Sequence, residues 1–170
     1  MKTLYLLRHA KSSWKDTGLP DHERPLNTRG KRNLPIMAHC FQAEIDLPVK
    51  IISSDAKRTK KTIRTVADHL GVDIANITLT SDLYMADADK LLTIIHKIPD
   101  QTRRLLICGH NPGLTDCINF ITNANLVNLP TCALAIINAK IDHWSELTEK
   151  SAQLIKILSP KSLINCEIDQ

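Results

Sequence analysis

The stretch Thr3-Leu4-Tyr5-Leu6-Leu7-Arg8-His9-Ala10-Lys11-Ser12-Ser13 decides how this chain is read. Its first half is apolar without alternation, the pattern of a short strand buried on both faces of a sheet. Its second half turns polar at once, and Arg8 and His9 stand at the strand's carboxyl end. Met1-Lys2-Thr3 before the apolar run invites comparison with a signal peptide. The run is too short for one, and Arg8 and His9 interrupt it. A buried strand in a cytoplasmic protein is the expectation.

Similar runs recur at Val49–Ile52, Leu105–Cys108, Ala133–Ile137 and Leu154–Leu158. Helical patterns fall between them. Ala56, Thr59, Ile63, Val66, Ala67 and Leu70 form one stripe at helical spacing, and Gly71 follows as a C-terminal stop. Another helix is predicted to start after Asn27, a good N-cap, and to run towards Phe41, with a kink or late start because Pro35 lies inside it. Asp87–Ile98 reads as a third helix, stopped by Pro99. Pro112–Ile121 reads as a fourth, capped by Asn111 with Pro112 at its first position. Strands alternating with helices predict an α/β fold, a three-layer sandwich with a mainly parallel central sheet. With no repeat, low-complexity segment or linker, residues 1–170 are expected to form a single domain.

Composition narrows the function classes. An apolar fraction of 43% and a charged fraction of 24% are ordinary for a globular protein. No apolar run approaches the roughly 18 residues that span a bilayer, so no membrane association is expected. Aromatic residues make up 4% of the chain, too few for the stacking platforms of single-stranded nucleic-acid binders, and no nucleic acid is expected as a partner. The net charge of +4 favours an acidic substrate or partner. The five cysteines show no C-x-x-C spacing and read as reduced structural thiols rather than disulfides or a zinc site. His22, His39, His69, His96 and His143 are scattered without metal-ligand spacing, and only His22, between the first strand and first helix, is placed to reach a site rim. No metal and no cofactor are expected.

Three predicted strand ends carry chemistry. The first runs into Arg8-His9, the second into Ser53-Ser54-Asp55-Ala56-Lys57-Arg58, and the one at Leu105–Cys108 into Gly109-His110-Asn111. Ligands of open α/β sheets bind beyond the carboxyl ends of the strands, so parallel neighbours would bring Arg8, His9, Arg58 and His110 into one pocket. Each residue alone is more often a surface or structural one. The conjunction is what points to a site. Arginine's planar fork meets phosphate oxygens bidentately and stays charged at working pH.

These residues resemble the histidine phosphatase superfamily, whose fold is phosphoglycerate mutase-like. The resemblance rests on Leu7-Arg8-His9-Ala10, on Ser53-Ser54-Asp55-Ala56-Lys57-Arg58-Thr59, on Cys108-Gly109-His110-Asn111-Pro112 and on Arg24-Pro25-Leu26-Asn27-Thr28-Arg29-Gly30. Within it, Arg8–Trp14, Leu129–Ala133 and the ending with Trp144, Leu154 and Pro160-Lys161 are similar to the small SixA-type phosphohistidine phosphatases.

The resemblance implies a metal-independent phosphatase in which His9 is the nucleophile and forms a phosphohistidine intermediate. Arg8, Arg58 and His110 would hold the phosphoryl group, and Lys11, Ser12, Ser13 and Gly109 would contribute to binding it. Many members of the superfamily place an acid in the middle of the chain to protonate an alcohol. Here Ser81-Asp82-Leu83-Tyr84-Met85-Ala86 has Tyr84 or Met85 at that place, with Asp82 and Asp87 nearby. Asp87 also reads as a helix cap. A missing acid and a chain with no room for a large lid suit a phosphorylated protein substrate, such as a phosphorelay histidine domain. Lys11, Lys15, Arg24 and Lys57 would then form a basic rim. A phosphatase of small phosphate esters, using Asp82 or Asp87 as acid, and a non-catalytic phosphate-binding module are the alternatives. A mutase, which needs an acid and a closed site, fits least.

Overall fold

The computed structural model describes residues 1–162. Its frame is one six-stranded sheet of β1 (Lys2–Arg8), β2 (Lys50–Ser54), β3 (Ile77–Thr80), β4 (Arg104–Gly109), β5 (Leu134–Ala139) and β6 (Ala152–Leu158), in the order β3-β2-β4-β1-β5-β6. The four strands from β3 to β1 run parallel. β5 lies antiparallel to β1, and β6 antiparallel to β5.

Two sequence expectations need correction here. The run at Leu154–Leu158 is not buried on both faces. It belongs to β6 on the sheet's edge, where exposed residues such as Ile155 alternate with partly buried ones. β3 is an edge strand that the sequence reading missed, because its four residues are largely exposed and carry no long apolar run.

Helices α1 (Thr28–Gln42) and α2 (Lys57–Leu70) cover one face of the sheet, where Leu34, Phe41, Ile63 and Val66 pack on Tyr5, Leu7, Leu106 and Leu134. Helices α3 (Ala88–His96) and α4 (Gly113–Thr122) cover the other, where Leu91, Ile95, Ile118 and Ile121 pack on Leu4, Leu6, Leu105 and Ile107. Alternate residues of β1 and β4 therefore face opposite cores, which is why these strands read as unbroken apolar runs.

Local signals explain most helix ends. Asn27 Oδ1 accepts from Gly30 N at 2.8 Å, capping α1, which then runs through Pro35 from Thr28 without the late start expected. Gly71 ends α2 in the left-handed conformation at φ 69°. α4 starts one residue later than expected, at Gly113, with Pro112 rather than Asn111 as its cap. Cys108, Cys117 and Cys132 are free and buried, and burial pushes the latter two up to about 12, so they stay protonated thiols. Cys166 lies outside the described residues.

Candidate active site

The sheet order places β4 between β1 and β2, so the carboxyl ends of all three are neighbours. β1 ends in Arg8 with His9 just beyond it, β4 ends at Gly109 with His110 next, and β2 leads through a short turn to Arg58 in the first turn of α2. The two histidine rings lie 5.1 Å apart between centroids. Arg58 spans them: its Nε is 3.3 Å from His9 Nε2 and its Nη2 is 3.3 Å from His110 Nδ1.

A guanidinium can only donate, so both contacted nitrogens are acceptors. His9 Nδ1 sits 2.8 Å from the Ala10 carbonyl, which can only accept, so Nδ1 carries the proton and Nε2 keeps its lone pair. His110 faces the opposite constraint. Its Nδ1 accepts from Arg58, and its Nε2 donates to Ser54 Oγ at 2.9 Å.

Both rings are buried, with 7% of His9 and 3% of His110 exposed, so a charge on either is costly. Burial lowers His9 to about 4. The Ala10 bond opposes the shift, while Arg58 and Arg8 add to it. Burial, then His9 and Arg58, lower His110 to about 3. Both rings are neutral at physiological pH.

Arg8 is aimed by Leu129, in a stretch quoted from the sequence, and by Asn128, which sequence reasoning passed over. Its Nη1 donates to Leu129 O at 2.7 Å and to Asn128 Oδ1 at 3.1 Å. Asn111 Nδ2 donates to Asn128 Oδ1 at 2.8 Å, tying the loop after β4 to the same segment. Arg8 Nε is buried and has no partner among the described residues.

Arg8, His9, Arg58, His110 and Asn111 line a cleft of about 270 Å³. Of the residues singled out from the sequence, Arg8, His9, Lys11, Ser12, Arg58 and His110 line it. Ser13 and Gly109 do not. Ser13 N is spent on the Pro25 carbonyl at 2.8 Å, and Gly109 accepts from His9 N at 3.3 Å within the strand register. The expected rim is also only partly there. The Arg24 guanidinium stacks 3.4 Å from the Trp14 ring centroid with its side chain 12% exposed, so it is no free charge. Lys15 and Lys57 are exposed but stand off the cleft. His22 does not line it either. Its ring packs edge-on against Tyr84, and its Nε2 bonds Asp55 Oδ1 at 2.8 Å.

Neither sequence candidate for a proton donor is at the site. Asp87 caps α3, accepting from Lys90 N at 2.8 Å, and Asp82 is an exposed partner of Lys90 Nζ at 2.9 Å. The carboxylate that does line the cleft is Asp21, in the connection between β1 and α1. Its Oδ2 accepts from Arg58 Nη2 at 2.8 Å and from Tyr84 OH at 2.7 Å. Its backbone carbonyl also accepts from Arg58 Nη1. Although its partial burial works the other way, the bonds from Tyr84 and Arg58 hold Asp21 below the usual carboxylate range. No periodicity governs that connection, so nothing in the sequence marked Asp21. Trp14 and Met85, both well exposed, stand at the mouth.

This basic cleft, with two neutral, buried histidines at the carboxyl edge of an α/β sheet, is the candidate active site. Residues 4–115 match the histidine phosphatase superfamily (branch 1), and the chain belongs to that family. Within it the architecture is SixA-type. A structure of the SixA protein from Agrobacterium tumefaciens superposes with a TM-score of 0.76 at 26% identity, over 94% of this chain and 98% of that one. The protein histidine phosphatase SixA complexed with tungstate shares the fold with a TM-score of 0.76 at 17% identity, over 95% of this chain and 99% of that one. Among relatives in sequence, an uncharacterised chloroplastic protein of Arabidopsis thaliana is 33% identical over 153 residues, 85% of this chain and 70% of that protein. An uncharacterised Mycobacterium tuberculosis protein is 27% identical over 165 residues, 91% of this chain and all of the relative.

Proposed function

We propose that this chain hydrolyses phosphohistidine on a protein, passing the phosphoryl group first to His9 Nε2 and then to water. The observation that carries the reading is the fixed tautomer of His9. The Ala10 carbonyl holds the proton on Nδ1, and burial beside two arginines keeps Nε2 unprotonated, its lone pair engaged only by the long 3.3 Å bond from Arg58 Nε. Phosphoryl transfer asks the protein mainly for positioning and for positive charge around the equatorial oxygens. Arg58 and Arg8 supply that charge, and the buried Arg8 Nε, without a partner among the described residues, is a donor for an incoming oxygen. His110 becomes a further donor if Ser54 turns its hydroxyl hydrogen onto Nε2 and the ring proton moves to Nδ1.

The choice of a phosphoramidate follows from the acids. Asp82 and Asp87 are engaged elsewhere, and Asp21 is held as a carboxylate, so no carboxylic acid among the described residues is poised to protonate an alkoxide. General acid catalysis is commonly worth about 10²–10⁴-fold, and alkyl esters would forgo it. An imidazole leaves without that help when its distal nitrogen already carries a proton. The SixA solved with tungstate is described as a protein histidine phosphatase, which agrees with this choice. A phosphorylated protein also suits the surroundings. Arg8, Lys11, Arg29 and Lys161 line a basic recess beside the cleft that would attract an acidic surface.

The test measures phosphate release from a phosphohistidine protein and from an aryl phosphate, for wild type and His9→Ala, with and without chelator. Phosphohistidine turnover that disappears with His9 and persists in chelator supports the reading. Turnover that survives His9→Ala refutes the nucleophile, and a preference for esters refutes the substrate. Binding of phosphate with no turnover at all would make the chain a phosphate-binding module.

A further inference from the structure

Asp21 is out of place in a cleft built for a dianion. Among the described residues lining the cleft it is the only acid, beside Arg8, Lys11 and Arg58. A carboxylate there repels phosphate unless the substrate also brings positive charge. One of its oxygens is committed, since Oδ2 accepts from both Arg58 and Tyr84. The other is not: among the described residues Oδ1 makes no hydrogen bond, and its ionic partner Arg24 Nη1 is 3.7 Å away. The side chain is 44% exposed and lines the cleft.

We infer that Asp21 Oδ1 is the acceptor for the ring N–H of the substrate's imidazole, making Asp21 the residue that selects a phosphorylated histidine over a phosphate ester. The inference rests on the phosphohistidine reading above and names the group that enforces it. In the reactive form of the substrate one ring nitrogen bears phosphorus and the distal one bears a proton, so the ring is cationic. His9 Nε2 gives its lone pair to phosphorus. The P–N bond breaks, its electron pair returns to the substrate nitrogen, and the ring leaves as neutral imidazole with the distal proton still in place. No proton has to be delivered. A carboxylate at the distal nitrogen favours the protonated, reactive ring by charge and by a charge-assisted hydrogen bond.

The bonds to Tyr84 and Arg58 are what suit Asp21 to this role and unsuit it to acid catalysis. They hold the carboxylate ionised, and an ionised carboxylate can accept a proton's bond but has none to give. Tyr84, packed at 5.4 Å against His110, fixes the carboxylate relative to the reacting rings.

The experiment compares kcat/KM for a histidine peptide phosphorylated with phosphoramidate and for 4-nitrophenyl phosphate, in wild type and Asp21→Asn. Nitrophenolate leaves without a proton and offers no N–H to Asp21. The ratio of the two kcat/KM values is expected to fall about 10- to 100-fold against phosphohistidine, the size of a lost charge-assisted bond. If Asp21 only buttressed Arg58, both substrates would suffer alike. An unchanged ratio, or loss of both activities together, overturns the inference. Wild type that hydrolyses the nitrophenyl ester but not the phosphopeptide overturns the substrate reading itself and the inference with it.

Discussion

Acidification tests the buried histidine pair most directly. An ordinary histidine, at about 6.5, is only ~3% neutral at pH 5. His9 is held at about 4 by burial and by Arg58 and Arg8, which leaves it ~90% neutral at the same pH. The competent fraction of the nucleophile therefore differs ~30-fold at pH 5 between a normal and a buried ring. The assay is a pH series of imidazole nitrogen and ring-proton shifts by NMR, with His9→Asn and His110→Asn used to assign the two rings. The expected midpoints fall well below those of exposed histidines. The shift pattern of His9 at neutral pH should also be that of an Nδ1–H tautomer, as the 2.8 Å bond to the Ala10 carbonyl requires. A His9 midpoint of about 6 or above, or an Nε2–H pattern, would refute the argument, because the lone pair would then not be held free for attack.

The same shifts have a stability signature. Both folded-state values lie below the unfolded one, so the unfolded chain binds more protons once pH drops under about 6.5. The contribution of the neutral rings is complete above that pH, and falls by about 1.4 kcal/mol per pH unit for each ring on the way down to about 4 for His9 and about 3 for His110. Denaturant midpoints from pH 7 to pH 4.5 should fall in wild type and fall less in a His110→Asn variant. Ser54→Ala leaves His110 Nε2 without its 2.9 Å partner in a buried setting. It should cost about 1–3 kcal/mol in urea melts and lower kcat, whereas unchanged values for both would remove Ser54 from the site. Gly30→Ala would put a Cβ 2.3 Å from the Lys11 carbonyl, forcing α1 away from the loop that follows His9. Turnover should fall about 10-fold or more although no cleft residue changes, while Gly18→Ala, with 3.4 Å of room beside Asp16, should be silent in the same assay.

Much of this protein is legible in one dimension because its cues are local. Strands buried on both faces write themselves as unbroken apolar runs, so β1, β2, β4 and β5 could be read, and Asn27, Asp87 and Gly71 marked helix ends by their own backbone chemistry. Arg8, His9, Arg58 and His110 stood out because a parallel sheet sends the residues after each strand to one edge. β3 and the exposed face of β6 escaped because edge strands need not be apolar, and strand direction for β5 and β6 is set by connections rather than composition. Tertiary structure alone decided the groups that orient the site. Asn128 reaches Arg8 across 120 residues of sequence, Ser54 meets His110 across 56, and Tyr84 meets Asp21 across 63. Ser54 and Tyr84 stand in stretches quoted from the sequence, but nothing in one dimension pairs them with His110 or Asp21. The sequence determined which groups stand at the carboxyl ends of the strands. Only the folded chain determined which proton sits on which nitrogen, and which carboxylate stands beside them, because those depend on distances between segments that the sequence keeps apart.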